Sequence, residues 1–214
     1  MFLRYVLKAF VFAVVLLTSM AATGQSFDEL LKAVTEGNTK VVQGFLSRGL
    51  DPNTTDAAGN TLLMNSARFG HMELVSLLIE RKASVTRRSP HGDTALMHAS
   101  LGGHLAIAKL LVAKGAEVHH AGWAPVHYAA FEGRSEIVRF LLEKGADKNA
   151  LAPNGYSPLM LAAMGGHLEA VRALLYEDAD VGVKGPKGET ALAIAKAGKN
   201  FELANLLTRA GAVE

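Results

Sequence analysis

Thr61-Leu62-Leu63-Met64-Asn65-Ser66-Ala67 returns 33 residues later as Thr94-Ala95-Leu96-Met97-His98-Ala99-Ser100. The phrase recurs as Ala124-Pro125-Val126-His127-Tyr128-Ala129-Ala130, Ser157-Pro158-Leu159-Met160-Leu161-Ala162-Ala163 and Thr190-Ala191-Leu192-Ala193-Ile194-Ala195-Lys196, at steps of 30, 33 and 33 residues. A weaker copy opens at Asp28, again 33 residues before Thr61. A fixed period of this length marks an array of small units that bury their cores against one another.

A second phrase follows each first one: Gly70-His71-Met72-Glu73-Leu74-Val75, Gly103-His104-Leu105-Ala106-Ile107-Ala108, Gly133-Arg134-Ser135-Glu136-Ile137-Val138 and Gly166-His167-Leu168-Glu169-Ala170-Val171. Each step has a physical reason. Thr or Ser at the opening position caps a short helix by accepting a backbone N–H. Pro125 and Pro158 suit a first helical turn. Paired small residues such as Ala129-Ala130 let helices approach closely. A glycine then ends the helix in the left-handed conformation. The second helix carries a Leu-rich face, as at Leu74, Val75, Leu77 and Leu78. A turn such as Gly145-Ala146-Asp147 leads into an extended loop.

These phrases resemble the ankyrin repeat, from about Ser26 to the end of the chain. The resemblance implies an all-α solenoid of about six helix–turn–helix repeats with short hairpin-like loops, each unit touching only its neighbours. The expected units are residues 25–57 as an N-terminal cap, 58–90, 91–120, 121–153, 154–186, and 187–214 as a C-terminal cap. Lys199-Asn200 replaces the usual Gly-His in the last. The loop at His119-His120-Ala121-Gly122-Trp123 is three residues short, which predicts a truncated hairpin tip. Ala124 has no capping oxygen, a loss of about 1 kcal/mol.

The N-terminus reads differently. Arg4 and Lys8 precede an apolar run, Ala9 to Leu17, which ends in the small residues Thr18 to Gly24. This is the pattern of a secretory signal peptide over residues 1–24, cleaved after Gly24 with Ala21 as the second choice. A retained anchor is the alternative. However, only fourteen uncharged residues separate Lys8 from Thr23, and a spanning helix needs ~20 apolar residues. Without Arg4 and Lys8, 20 basic residues face 20 acidic ones. A neutral chain fits neither nucleic acid nor polybasic membrane docking. The absence of cysteine excludes disulfides, thiolate zinc sites, a cysteine nucleophile and a lipoprotein anchor. The expected location is therefore the periplasm.

No phosphate loop, His-Glu-x-x-His or Gly-x-Ser-x-Gly stretch is present. No enzyme activity, cofactor or metal is expected. The resemblance gives His71, His104, His167 and His127 structural roles. His119-His120 with His91 is the one unusual histidine group, and spacing fixes no further ligand for it. Glu73, Glu136 and Glu169 suit the starts of second helices.

By the resemblance, partners bind at the inner face and the hairpin tips. Two sets of positions point there: the residue before each opening phrase, and the pair that ends each first helix. The middle repeats offer Leu101, Trp123, Phe131, Tyr156 and Met164, flanked by Arg68, Phe69 and Glu132. Trp and Tyr are enriched at binding hot spots, and an apolar patch marks an interaction site. Arg87-Arg88 lies near a hairpin tip, where it would steer an acidic partner or simply be solvated. The expected function is a monomeric, non-catalytic binder that regulates or inhibits a periplasmic enzyme, such as a cell-wall peptidase or hydrolase. The alternatives are a scaffold for stress-defence enzymes such as catalase, and an effector acting on host proteins.

Overall fold

A computed structural model describes residues 26–213. The expected signal segment, residues 1–24, lies outside the described residues. Among the described residues, twelve helices form six antiparallel pairs: α1 (Phe27–Glu36) with α2 (Thr39–Ser47), α3 (Leu62–Phe69) with α4 (Met72–Glu80), and α5 (Ala95–Gly102) with α6 (Leu105–Ala113). These are followed by α7 (Pro125–Phe131) with α8 (Ser135–Glu143), α9 (Pro158–Met164) with α10 (Leu168–Tyr176), and α11 (Ala191–Ala197) with α12 (Phe201–Arg209). Among the described residues the only extended pairing is one bridge, Thr55 to Thr61. The protein is the all-α repeat solenoid expected from the sequence. Among the described residues, no helix is long and apolar enough to cross a membrane.

The first helices, α1 to α11, stack on one another in order, and the second helices stack from α2 to α10. Both rows bury the repeat's apolar positions. Leu78, Leu111, Leu141, Leu174 and Leu207 recur at one position of the second helix, and all are fully buried. Burying one such side chain is worth about 1.5–3 kcal/mol. Ala67, Ala99, Ala129, Ala162 and Ala195 are buried in the first helices, where their size lets the row close up. Two buried serines, Ser66 and Ser100, avoid an orphaned hydroxyl by donating to Leu62 O and Leu96 O, both at 2.7 Å.

The helix starts follow the capping logic. Thr61, Thr94, Ser157 and Thr190 each accept an amide three residues on, from Met64, Met97, Met160 and Ala193. The first repeat differs from the expected phase. Its cap is Ser26, whose Oγ accepts Glu29 N at 3.1 Å, so α1 begins ahead of Asp28 and Asp28 sits in the first turn. At the far end, Lys199 holds the left-handed φ of 55° that glycine holds elsewhere.

The loop before α7 is shortened as expected. The other hairpins close with a pair of backbone bonds, such as Ser89 N to Asp93 O and Gly92 N to Ser89 O, both 2.9 Å. Residues 114–124 carry no such pair. Ala124 supplies no cap, but half of the capping box survives. Its amide donates to His127 Nδ1 at 3.0 Å, where Thr61 and Thr94 use methionine sulfur. With Nδ1 accepting, the His127 proton sits on Nε2, which donates to Ala150 O at 2.9 Å. One neutral histidine thus ties the shortened loop to the next one.

Candidate protein-binding surface

The ends of the first helices are held by a ladder of side chains from the following repeats. His71 Nε2 donates to Thr35 O at 2.8 Å, His104 Nε2 to Arg68 O at 2.9 Å and His167 Nε2 to Phe131 O at 2.9 Å. Where the sequence puts arginine, Arg134 Nε reaches Leu101 O at a longer 3.4 Å. The expected structural role of these histidines is what the structure shows. The ladder also clamps the main chain of Arg68, Leu101 and Phe131, three residues picked out for the surface. Gly133 explains one close approach. It has φ +67°, and an added Cβ would lie 2.5 Å from His167 Nδ1.

The picked side chains are placed in three ways. Phe69, Phe131 and Met164 project from α3, α7 and α9 and are 46%, 45% and 47% exposed. Arg68 is exposed beside them, while Leu101 and Glu132 are half-buried. Glu132 sits 3.7 Å from Arg134 in an exposed ion pair, a contact worth about 0–1 kcal/mol.

Trp123 and Tyr156 are more restrained than a free anchor would be. Trp123 is half-buried. Its ring stands edge-on to His127 at 5.9 Å and tilted on Tyr128 at 5.5 Å. Tyr156 packs against the core, and its hydroxyl donates to Glu189 Oε1 at 2.7 Å. That bond raises the Tyr156 pKa and lowers that of Glu189. Both aromatic rings are therefore held in place by contacts within the chain.

The structure adds Met97, His98 and Tyr128, which sequence reading did not pick for this surface. Tyr128 Oη donates to Asp93 Oδ1 at 2.6 Å. Burial first, and the carboxylate second, push this phenol far above its ordinary value. Arg68, Asp93, Met97, His98, Leu101 and Tyr128 together line a recess on the face. A signal was available. Asn65, His98 and Tyr128 are polar at a first-helix position where the later repeats have Leu161 and Ile194.

Other picked groups are not brought together. Arg88 is bound to Glu117 at 3.0 Å across neighbouring hairpins, and both arginines of that pair are exposed. His120 has both ring nitrogens buried without a hydrogen-bond partner. Among the described residues, no three His, Asp or Glu side chains converge as a metal ion requires.

Comparison with known proteins fits this architecture. A family model described as ankyrin repeats in three copies matches residues 30–121, 91–152 and 126–213. Over 130 residues the chain is 34% identical to the ankyrin repeat and SAM domain-containing protein 6 of Mus musculus. That match covers 59% of this chain but only 11% of the relative. Over 100 residues it is 39% identical to protein phosphatase 1 regulatory subunit 27 of Homo sapiens, covering 45% of this chain and 65% of that one. It is also 28% identical over 110 residues to the E3 ubiquitin-protein ligase XBAT33 of Arabidopsis thaliana, 16% of whose length is covered. The chain thus spans only part of these curated relatives. With the repeat phrases, the paired helices and these matches in agreement, the chain belongs to the ankyrin repeat family, whose arrays are protein–protein interaction modules.

Proposed function

We propose that this chain is an exported, non-catalytic binding module that engages a periplasmic enzyme through the ends of its first helices and regulates or inhibits it. The observation that carries the reading is the exposure of Phe69, Phe131 and Met164 at the ends of first helices, where the ladder clamps the main chain of Arg68 and Phe131 and where Tyr156 is braced by Glu189 in the same stack. Large side chains already held in place lose little entropy on binding, which favours affinity. The resemblance of one stretch to a phosphatase regulatory subunit supports a regulatory role over a purely structural one. The signal-like residues 1–24 and the absence of cysteine support export. A cell-wall peptidase or hydrolase is the class of partner that best suits that compartment.

The test is affinity purification of the tagged full chain from the periplasmic fraction, with mass spectrometry of what it retains. The expected result is an enzyme captured by the wild type and lost with Phe131→Ala and Met164→Ala. Absence of the chain from the periplasm would overturn the location. Equal capture by wild type and variants would overturn the surface.

A further inference from the structure

Asn65, His98 and Tyr128 occupy one position on α3, α5 and α7. Asn65 Nδ2 donates to Asp56 Oδ2 at 2.8 Å, and Tyr128 Oη donates to Asp93 Oδ1 at 2.6 Å. His98 lies between them in the stack. It is only 8% exposed, and neither ring nitrogen has a hydrogen-bond partner. The cause can be read in its own loop. The position that holds Asp56 one repeat earlier holds Ser89 here, and the Ser89 hydroxyl is taken up by the amides of His91 and Asp93. A buried polar group left unpaired is a persistent penalty, which a ligand of matching chemistry relieves.

The recess that His98 lines has a volume of about 120 Å³ and is also walled by Arg68, Asp93, Met97, Leu101 and Tyr128. At ~30 Å³ per water, it takes roughly four waters or the end of one side chain. Burial holds His98 below the ordinary imidazole value, so near neutral pH it offers one N–H donor and one bare acceptor nitrogen. Arg68 adds donors and Asp93 adds an acceptor. Arg68 and Asp93 are of opposite sign, so the recess wall carries no net charge that favours an ion of either sign. An aliphatic group would leave the imidazole unpaired. A carboxamide carries an acceptor and a donor on one neutral, planar fork, so it can meet one ring nitrogen of His98 and at the same time pair with Arg68 or Asp93.

We infer that the recess formed by Arg68, Asp93, His98 and Tyr128 is a subsite for a glutamine or asparagine side chain of a bound protein partner. The subsite rests on the reading of this face as the partner-binding surface. It gives that surface a polar specificity element beside the apolar row.

Trp123, the chain's one tryptophan, lies 5.5 Å from Tyr128 and so reports on the recess. The full chain is titrated with N-acetyl-glutamine methylamide, following Trp123 emission and the His98 ring nitrogen resonances. The glutamate and leucine counterparts serve as controls. The expected result is saturable binding of the glutamine compound, with a dissociation constant of roughly millimolar size for so small a ligand. The controls should bind at least about tenfold weaker. His98→Leu should abolish the response. Leu101→Arg, which puts a bulky side chain into the lining of the recess and leaves residue 98 a histidine, should do the same if His98→Leu proves poorly folded. No saturable response, an equal response to all three compounds, or unchanged binding by both variants overturns the subsite. Partner capture separates the two readings. If capture depends on Phe131 and Met164 but not on His98, only the subsite falls. If the glutamine compound binds while capture ignores Phe131 and Met164, the surface reading falls.

Discussion

His167 Nε2 donates to the main-chain carbonyl of Phe131 at 2.9 Å, so a residue of one repeat sets the position of an exposed side chain in the repeat before it. The same contact joins His104 to Arg68 and His71 to Thr35. Stability and surface geometry are therefore coupled along the stack, and the coupling is weakest where Arg134 stretches 3.4 Å to Leu101 O.

Arg134→His should repair that rung. A compact imidazole donor would replace a long, half-exposed guanidinium and shorten the bond toward the 2.8–2.9 Å of its neighbours. A sound hydrogen bond is worth about 1 kcal/mol net, so a gain of about 0.5–1 kcal/mol is expected. Urea denaturation should show a higher midpoint with an unchanged slope. A lower midpoint would mean that the arginine contributes through something other than this bond.

Ala124→Thr should stabilise the chain by about 1 kcal/mol. The equivalent Thr61 and Thr94 each cap their helix by accepting the amide three residues on. Ala124 has the same extended backbone, with φ −112° and ψ 159°, and is already followed by Pro125. The Ala124 amide keeps its bond to His127, so the substitution adds a contact without removing one. A thermal melt with no upward shift would show that the shortened loop does not leave the threonine room.

His98 and His127 predict an acid-sensitive stability. Burial is the first cause of the lowered pKa in both. At His127 a second proton would also displace the Ala124 amide from Nδ1. In the unfolded chain these imidazoles take up protons near the ordinary value of 6.5, while in the folded chain they do so only at lower pH. Their stabilising contribution is complete above about pH 6.5 and is lost as pH falls from there toward the folded values, by at most about 1.4 kcal/mol per pH unit for each group. Calorimetry between about pH 7.5 and 5 should show a falling Tm, and His98→Leu should reduce the slope. A Tm that stays flat over this range would contradict the burial of both rings as neutral groups.

The repeat was legible because its signals are local and periodic. Thr61, Thr94, Ser157 and Thr190 each announce a helix start, and the structure uses each of them as a cap. The exposed ends at Phe69, Phe131 and Met164 were legible for the same reason, since a fixed register tells which positions face outward. What the sequence hid is contact between repeats. Nothing local says that Tyr128 will reach Asp93, 35 residues away, or that Tyr156 will be held by Glu189. The first cap is not marked by the period, which falls on Asp28, while Ser26, which does the capping, stands outside it. Arg88 read as a free charge because its partner, Glu117, lies in the next hairpin.

The surface itself predicts a contrast between two sets of exposed aromatic and apolar residues. Phe69, Phe131 and Met164 sit at the ends of first helices, where the ladder clamps the backbone of Arg68 and Phe131. Tyr176 and Phe201 are more exposed, at 85% and 72%, but lie on second helices α10 and α12. If exposure alone made a binding site, the second set would matter more. The first set is expected to dominate, because binding energy concentrates where side chains are held and surrounded by others that exclude water. Alanine at Phe69, Phe131 and Met164 together should weaken partner binding by at least about 30-fold, the equivalent of one hot-spot truncation of ~2 kcal/mol. Tm should move little, since the removed atoms are already half in solvent. Alanine at Tyr176 and Phe201 should leave affinity within about twofold. Titration of each variant against the captured partner decides the matter, and a larger loss from the Tyr176 and Phe201 pair would move the binding face to the second-helix row.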